Sequence, residues 1–344
     1  MEIATAYAWA PLFKMAAGTG DCIFTPYWDV LTARGVNIQL FSRVTSITAS
    51  GSQIGQIVIS NQAETTPKGA PYRPFKSVAN LDCWPSEPHW SQLLNGAKLK
   101  ADDVDFEYSG CTVNVGTTTL TAGQDFDIVI SALPPGVLAQ YASGLQANPA
   151  WNAALGASRS VGTQSLQLWM ANDLAGLGWT YGPTVLTAYA EPYDSWGDMS
   201  QTLWAEGWPP APNRPLSVGY FCGCLPQQLD PPFSPGEENE AARAMATGWM
   251  KANLPVLWPT PGAVFSRYGQ ANWDISDTYV QTPAGTNVSS RLDPAAPVPG
   301  YSNLYAIGDW TLTRFSGGCF ESAVESAMLA VRAISNFPVY VKTS

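Results

Sequence analysis

One stretch of the sequence decides the fold: Tyr301-Ser-Asn-Leu-Tyr-Ala-Ile-Gly-Asp-Trp-Thr-Leu-Thr-Arg-Phe-Ser-Gly-Gly-Cys-Phe320. We predict a buried strand that ends at Gly308-Asp309, then a short irregular loop, then a Gly317-Gly318 pair that opens a long helix. An acidic residue at a strand end can bind ribose-like hydroxyls, and a helix N-terminus presents free N–H groups and a positive dipole end. Together these features suit a cofactor that carries both a polyol and an anionic ring.

The composition indicates a packed globular protein. Of its 344 residues, 46% are hydrophobic and only 13% are charged, enough for one large or two moderate cores. The 14 tryptophans either line a pocket for an apolar or aromatic ligand or fill a core rich in proline and glycine. The net charge of −10 argues against binding to nucleic acid or to an anionic membrane, because no basic stripe is present to neutralise phosphates.

Several classes of site and compartment are disfavoured by the sequence. Six cysteines in a chain of this length do not indicate a disulfide framework, and we expect buried thiols and no metal site. The single histidine, His89, argues against Ser–His and Cys–His nucleophilic catalysis. The N-terminus lacks the features of a signal peptide, and no apolar run approaches the roughly 20 residues of a membrane span. We therefore expect a cytoplasmic protein.

Turn and cap residues predict the elements of the first part of the chain. A helix is expected at 25–35, with Thr25 as its N-cap and Gly35 at its C-terminal end. Strands are expected at 36–40, 43–48 and 53–59, the last two joined by a turn at 50–52.

Apolar periodicity predicts four further elements. The run 126–132 indicates a strand buried on both faces, and the alternation in 163–170 indicates a long strand with one apolar face. A helix is expected from Ser234-Pro235 to about residue 253, with acidic residues in its first turn. In the last helix, which begins at Phe320, apolar residues recur at helical spacing and predict one buried stripe, at positions 320, 323, 324, 327, 328, 331 and 334.

Three of these segments resemble, in the same order, the amine oxidase and phytoene desaturase superfamily of FAD-dependent enzymes. Residues 26–47 resemble a block in which the residue at the position of Val44 meets adenine through its backbone. Residues 127–134 resemble the D-x-V-i-x-A-x-P strand, which here contains Ala132, and residues 305–330 resemble the flavin motif. The Gly-Asp-Trp triplet is most similar to the desaturase and hydroxysqualene dehydroxylase members.

The resemblance implies FAD as the cofactor. It places Asp309 on a ribityl hydroxyl and aims the helix that starts at Phe320 at the pyrimidine edge of the flavin. Arg314 is either a charge partner of the flavin or of an acidic substrate group, or an ordinary surface residue. Cys319 is either a packing thiol or a contact that tunes the ring. The implied cofactor-binding residues are Val44, Ala132, Gly308, Asp309, Trp310, Gly317, Gly318, Cys319 and Phe320.

One feature of this superfamily is missing from the sequence. Its members begin with a strand and helix joined by G-x-G-x-x-G, which holds the ADP pyrophosphate. Gly18-Thr-Gly20 is the nearest approach here, but Ile23 stands where a third small residue is needed. The sequence thus resembles the C-terminal two-thirds of an FAD enzyme, which fits a split enzyme, a truncated form, or a relative that has lost FAD. We expect the split enzyme, in which a second polypeptide supplies the dinucleotide-binding βαβ segment and covers an open sheet edge and an apolar face.

The fold class implied is α/β (α+β). It consists of a partial FAD-binding Rossmann-like domain completed by another chain and a mixed sheet and helix substrate domain of amine-oxidase type. We assign residues 1–60, 111–145 and 290–344 to the FAD-binding part, and residues 61–110 and 146–289 to the substrate domain.

The function implied is that of a subunit of a split FAD-dependent oxidoreductase. It would dehydrogenate a hydrophobic or aromatic amine, an amino acid or a polyene by hydride transfer to flavin N5. No lysine occurs between Lys100 and Lys251, where many amine oxidases carry one that assists the reaction with oxygen, and this favours a dehydrogenase or desaturase over an oxidase. The alternatives are a non-catalytic, degenerate flavoprotein that binds and stabilises another enzyme, and a carrier of apolar ligands.

Substrate contacts are expected in the central part of the chain, although no catalytic residue is implied. From their strand positions, we expect four residues to line the substrate cavity: Gln164, Gln167, Trp169 and Tyr220. Four acids lie nearby among aromatic residues and either bind a cationic amine or solvate a loop: Glu191, Asp194, Asp198 and Glu206.

Overall fold

The chain divides into two compact units that alternate along the sequence. The sheet unit comprises Met1–Ile38, Pro71–Gln92 and Gly162–Trp273, and the motif unit comprises Gln39–Ala70, Leu93–Val161 and Asp274–Ser344. The predicted division into a FAD-binding part and a substrate domain stays a prediction. The computed structural model describes residues 13–108, 111–156, 159–161, 163–224, 235–260, 264–272, 279–281, 291–315 and 318–341.

The described residues form helices and strands in both units. The α-helices are α1 (Thr25–Ala33), α2 (Gly96–Ala101), α3 (Pro135–Tyr141), α4 (Pro149–Gly156), α5 (Pro235–Leu257) and α6 (Phe320–Ser335). The strands are β1 (Ser42–Ser50), β2 (Gln53–Asn61), β3 (Lys76–Val78), β4 (Leu81–Cys83), β5 (Gly116–Thr121), β6 (Val129–Ser131), β7 (Arg159–Val161), β8 (Thr163–Met170), β9 (Val185–Leu186), β10 (Ser195–Asp198), β11 (Ser217–Cys224), β12 (Val264–Asn272), β13 (Tyr279–Gln281) and β14 (Leu304–Ala306).

The sheet unit is built on a five-stranded antiparallel sheet in the order β12-β8-β11-β10-β9. Strand β8 confirms the alternation predicted for 163–170, because its even-numbered residues are buried and its odd-numbered ones are only partly covered. The core of this unit is aromatic: Phe221 packs edge-on against Trp249 and Trp258, with ring centroids 5.0 and 5.6 Å apart. The buried tryptophans of this unit therefore fill its core.

Helix α1 agrees with the prediction at its C-terminus and differs from it at its N-terminus. A π-helical turn at Gly20–Phe24 leads directly into the helix, so that Thr25 is already helical and its hydroxyl donates to the Gly20 carbonyl. Gly35 has a φ of +80°, and the N–H of Val36 bonds back to the Leu31 carbonyl. Two hydrogen bonds, from the N–H groups of Gly35 and Val36 to carbonyls of the last turn, therefore end the helix. The strand predicted at 36–40 is not formed, because the chain at Val36 is still bonded to the helix.

The motif unit combines an antiparallel sheet with a parallel strand pair. Strands β1, β2 and β5 form the antiparallel sheet, as predicted for its first hairpin. Strands β6 and β14 pair in parallel, with Leu304 opposite Val129. The buried amide of Asn303 accepts a hydrogen bond from the Ile54 N–H (2.7 Å) and donates one to the Ile54 carbonyl (3.1 Å). These hydrogen bonds hold the β1–β2 hairpin against the start of β14. The hairpin and β14 both contribute side chains to the core of the motif unit.

Two faces that the sequence predicts to be buried are exposed in the described residues. On β6 and just before it, Ile130 and Ile128 are each 42% exposed, so this strand is covered on one face only. On α6 the prediction is reversed, because Val324, Met328 and Val331 are 45%, 37% and 40% exposed. The buried residues of this helix are Ser322, Glu325, Ser326 and Ala330. The polar face is buried because the loop after β14 packs on it through hydrogen bonds.

Within the described residues, no helix combines the length and the apolar character that crossing a bilayer requires.

Candidate functional site

Six of the predicted cofactor residues line one cavity of 520 Å³ in the motif unit. It lies just beyond the carboxyl ends of β6 and β14 and beside the first turn of α6, which is where open parallel sheets bind ligands. Pockets for small organic ligands measure about 300–1,000 Å³. The cavity therefore suits one ring system of a larger cofactor. Its lining is formed by Ala132, Ile307, Gly308, Asp309, Gly318, Cys319, Phe320 and Ala323.

The backbone conformation at position 308, at the edge of this cavity, requires a glycine. Its φ is +135°, a value that residues with a side chain rarely adopt. A Cβ atom there would lie 2.8 Å from the ring of Trp310, which is buried below the loop. The Gly308 N–H donates to the Ser326 hydroxyl at 3.1 Å. The chain thus turns sharply at Gly308 and brings the next residue, Asp309, to the cavity.

Asp309 carries the acidic group of the cavity. Burial raises the pKa of this carboxyl, while the backbone N–H groups of Asp309 and Trp310 and the charge of Arg291 act in the opposite direction. Arg291 also donates to the Asp309 carbonyl, at 3.3 Å. A partly desolvated carboxylate is a strong acceptor for a hydroxyl that replaces water. This is the property that the sequence predicted for a polyol contact.

The N-terminus of α6 forms the opposite side of the cavity. Cys319 stands at the N-cap in an extended conformation, and no side-chain oxygen caps the helix. Burial raises the pKa of the Cys319 thiol, with the Ser322 N–H acting in the opposite direction, so the sulfur stays protonated at neutral pH. Cys319 itself lines the cavity. The positive end of the helix dipole remains available to an electron-rich group.

A ladder of polar contacts fastens the loop after β14 to the buried face of α6. The hydroxyls of Thr311 and Ser326 are 2.7 Å apart, and those of Thr313 and Ser322 are 2.6 Å apart. These residues were not predicted from the sequence. Their signal was present, because Ser322, Glu325 and Ser326 recur at helical spacing opposite the apolar stripe.

Arg314 completes this ladder. The backbone N–H of Arg314 donates a hydrogen bond to Glu325 Oε1 at 3.1 Å. The side-chain Nε of Arg314 lies 3.4 Å from Glu325 Oε2. The guanidinium also lies over the ring of Phe315, 4.3 Å from its centroid. Arg314 is therefore a partly buried residue that is paired within the protein, and not an ordinary surface arginine.

The remaining predicted cofactor residues lie away from the cavity or outside the described residues. Val44 lies on β1 opposite Ile59 and packs against the core of the motif unit. Trp310 is buried under the loop, and Gly317 is outside the described residues. Two lining residues, Ile307 and Ala323, were not predicted, although one precedes Gly308 and the other lies one helical turn beyond Phe320.

Three of the four predicted substrate residues share one face of the five-stranded sheet. Tyr220 is directly opposite Gln167 in the β8–β11 pair, and Trp169 lies two residues further along β8. Gln164 lies on the other face, where it is 1% exposed and its Nε2 is 3.5 Å from both the Cys224 carbonyl and the Met245 sulfur. The structure therefore brings Gln167, Trp169 and Tyr220 together and separates Gln164 from them.

Three of the four acids among the aromatic residues have partners inside the sheet unit, and one of them, Asp194, accepts a hydrogen bond from the Ser195 hydroxyl at 3.2 Å. Glu206 accepts hydrogen bonds from the indole N–H groups of Trp169 (2.6 Å) and Trp208 (2.7 Å). Asp198 forms an ion pair with Lys14 at 3.2 Å. The hydrogen bond from the Trp169 indole N–H to Glu206 therefore fixes the orientation of the Trp169 ring.

The other polar candidates have structural partners. The backbone N–H of His89 donates to the Tyr72 hydroxyl (2.9 Å), and its Nε2 lies 3.1 Å from the Phe75 carbonyl. The six cysteines, all of which lie in the described residues, form no disulfide bond. The part of the chain that the structure describes contains no group of three or more side chains suited to hold a metal ion.

Comparison with solved structures shows the fold. An oxidoreductase from Methanosarcina mazei matches with a TM-score of 0.50 and 14% identity, over 92% of this chain and 53% of that chain. This chain thus spans about half the length of that protein. A putrescine oxidase with redesigned cofactor binding matches with a TM-score of 0.40, 11% identity, and coverages of 64% and 46%. The glycerol-3-phosphate dehydrogenase from Bacillus halodurans, complexed with FAD, matches with a TM-score of 0.37 and 9% identity. The match covers 88% of this chain and 40% of that chain.

Comparison with protein families is more specific. No curated protein matches the sequence. The model of the flavin containing amine oxidoreductases matches residues 100–335, which is more than half of the chain. This range contains β6, the sheet unit's central strands and the whole stretch from β14 to the end of α6. The chain therefore belongs to the family of flavin containing amine oxidoreductases.

Proposed function

We propose that this chain is a subunit of an FAD-dependent oxidoreductase that dehydrogenates a hydrophobic or aromatic amine, an amino acid or a polyene. The observation that carries the proposal is the cavity in which Asp309, Gly308 and the N-terminus of α6 converge. When bound, FAD supplies the hydride acceptor, at N5 of its ring.

The residues around the cavity fit a flavin. Gly308, Asp309 and Gly318 line the cavity, and in our proposal the Asp309 carboxylate accepts a hydrogen bond from a ribityl hydroxyl. The N-terminus of α6 adds positive potential for the electron-rich edge of the ring, which for a helix terminus contributes about 0.3–2 kcal/mol. These groups bind and orient a cofactor, and none of them is needed to transfer a proton.

The phosphates of FAD require a component that this sequence lacks. It contains no G-x-G-x-x-G loop, so the chain supplies the half of the site that surrounds the ring. In our proposal a second polypeptide supplies the dinucleotide-binding βαβ segment. The matched region covers 53% of the Methanosarcina mazei structure, so the remainder of that fold has no counterpart in this sequence.

The substrate class that we propose is based on the half-buried face of the five-stranded sheet. In our proposal Gln167, Trp169 and Tyr220 line the substrate surface, and Trp169 offers an aromatic ring held in place by Glu206. The absence of lysine between Lys100 and Lys251 favours a dehydrogenase or desaturase over an oxidase. An aromatic surface with few charges suits a hydrophobic or aromatic substrate.

The flavin content of an Asp309→Ala variant tests this proposal. Losing a hydrogen bond to a charged group costs about 1.5–3 kcal/mol, so flavin retention should weaken about tenfold or more. The measurement is the flavin absorbance per chain after purification of the complex from its native source. Asp82→Ala is the matched control, because Asp82 is an exposed strand residue in the other unit, and it should retain flavin. Unchanged flavin in the Asp309→Ala complex contradicts the assignment of the motif.

The non-catalytic alternative makes a different prediction. A degenerate relative would yield a complex without flavin absorbance, even with all residues native. The intact Gly308-Asp309 pair argues against such decay, because packing against Trp310 accounts for Gly308 but not for the acid at Asp309.

A further inference from the structure

The turn at Gly308 is held by two hydroxyl groups that lie outside the strand. Up to Ile307 the chain is bonded to β6, because the Ile307 N–H donates to the Ser131 carbonyl at 2.9 Å. The Gly308 N–H then donates to the Ser326 hydroxyl on α6 at 3.1 Å. The Thr311 hydroxyl donates to the Gly308 carbonyl at 2.8 Å. Both peptide groups that flank the Gly308 Cα are therefore bound to side chains.

The same two hydroxyls also bond to each other, and their geometry determines which one donates. The two oxygens are 2.7 Å apart. A serine or threonine hydroxyl has one hydrogen to donate, and Thr311 uses its hydrogen on the Gly308 carbonyl. Ser326 is therefore the donor to Thr311, while its oxygen accepts from the Gly308 N–H. The three hydrogen bonds run in one direction and return to Gly308, and we call this closed set the Gly308 clamp.

Packing alone does not account for the two hydroxyls of the clamp. Thr311 and Ser326 are both 0% exposed, so that their hydroxyls are shielded from water. A buried hydroxyl is unfavourable unless it is hydrogen-bonded, whereas an apolar pair of the same shape carries no such penalty. The hydroxyls therefore serve the peptide groups of Gly308, which have left the sheet at this point.

The clamp determines the direction in which the chain continues to Asp309. The two peptide groups that it holds are the ones that rotate with φ and ψ of Gly308, and glycine by itself restricts these angles least of all residues. Asp309 follows directly and lines the cavity. The clamp thus supplies the rigidity that glycine lacks where the chain turns into the cavity.

We propose that Ser326 and Thr311 are positioning residues for the Asp309 carboxylate, and that they set how strongly the cavity prefers a planar ring with a hydroxylated chain over the ring alone. The inference rests on the proposed function, in which Asp309 accepts a hydrogen bond from a ribityl hydroxyl. Among the described residues that line the cavity, neither Ser326 nor Thr311 occurs. Their effect on a ligand passes through the backbone of Gly308.

A second hydroxyl pair on the same face of α6 provides a matched control. The hydroxyls of Thr313 and Ser322 are 2.6 Å apart, and both residues are buried. Ser322 precedes Ser326 by about one helical turn. This pair joins the loop to α6 beyond the turn at Gly308. Losing one of its hydroxyls should therefore lower the stability to a similar extent without releasing that turn.

The preference of the protein for riboflavin over lumiflavin tests the clamp. The two probes share one ring system, but lumiflavin carries a methyl group in place of the ribityl chain. Neither probe carries a phosphate, so the comparison does not depend on a glycine-rich loop. The complex is purified from its native source, stripped of bound flavin and titrated with each probe, and the quenching of flavin fluorescence gives the two dissociation constants. A hydrogen bond to the Asp309 carboxylate should favour riboflavin about tenfold or more.

Three variants separate positioning from packing. Thr311→Val keeps the shape of the side chain and removes its hydroxyl, so the preference for riboflavin should fall close to one. Thr311→Ser keeps the hydroxyl and loses a methyl group, and it should retain the preference. Thr313→Val removes a buried hydroxyl from the control pair and should retain the preference as well, although the free energy of unfolding decreases.

Other results overturn the inference in distinct ways. If the native complex prefers riboflavin and both Thr311→Val and Ser326→Ala keep this preference, the clamp does not position Asp309, and the proposed function is unaffected. An equal loss of preference in Thr313→Val means that general destabilisation is the cause. Loss of preference in Thr311→Ser assigns the effect to the methyl group. A native complex that binds neither probe rejects the proposed function, and this inference with it.

Discussion

At the scale of single residues, the site depends on backbone positions that few side chains tolerate. Gly308 has a φ of +135°, and its Cα lies so close to Trp310 that a side chain would clash with the ring. Asp309, the next residue, is the only acidic residue among those that line the described cavity. The strand, the glycine and the acid are adjacent in sequence, so a local pattern was sufficient to predict them. Cys319 and Phe320 were predicted for the same reason, because they begin a helix.

Gly308→Ala should destabilise the protein and weaken the proposed flavin site together. The new Cβ would meet the Trp310 ring at 2.8 Å and would force a residue with a side chain into the glycine region of φ, at a cost of about 1–3 kcal/mol. Urea unfolding followed by tryptophan fluorescence measures this loss. Gly248→Ala on α5 is the control, since nothing lies within 4 Å of its Cβ position and alanine favours a helix. Equal stability of the two variants would show that the constraint at Gly308 is absent.

At the scale of secondary-structure elements, α6 carries three separate tasks. Its N-terminus faces the cavity, its polar face holds the loop after β14, and its apolar face is exposed. The Arg314–Glu325 pair is the charged part of the polar face and joins residues eleven positions apart. Sequence reasoning left Arg314 open between a ligand contact and a surface residue, because no periodic pattern links a loop arginine to a helix glutamate.

A double-mutant cycle on Arg314→Ala and Glu325→Ala should give a coupling free energy of about 1–3 kcal/mol. The estimate lies below that of a fully buried pair because the Arg314 side chain is 25% exposed. The measurement is the free energy of unfolding of both single variants and of the double variant. The exposed Lys98–Asp102 pair, at the C-terminal end of α2, is the control, and its coupling should be only about 0.3–0.5 kcal/mol. Additive effects at Arg314 and Glu325 would mean that the pair does not hold the loop.

At the scale of the whole molecule, the exposed apolar stripe is a liability for the chain on its own. A surface of this kind favours self-association unless a partner covers it. The net charge of −10 opposes association but does not act specifically at the stripe. The solubility of the isolated chain therefore reports whether the stripe is an interface.

The isolated chain should self-associate as its concentration rises, and the double variant Val324→Glu, Met328→Glu should do so much less. Each glutamate places a charge in the stripe, and burying a charge without a partner is strongly unfavourable. Static light scattering measures the mass of both proteins, and circular dichroism checks that the fold is kept. Val256→Glu adds a charge at an exposed position of the other unit and should behave like the native chain. An unchanged mass in the double variant would refute a specific role of the stripe.

By itself, the sequence determined the features that depend on near neighbours: the strand, loop and helix around Gly308, the β1–β2 hairpin, the alternation of β8 and the family. Only the tertiary structure decided which side of α6 is buried, which residue pairs with Arg314, and that Val36 bonds back to α1. The physical reason is that periodicity tells which residues share a face, whereas the surroundings of that face depend on residues far along the chain. The sequence therefore identified the apolar stripe of α6 correctly and placed it on the wrong side.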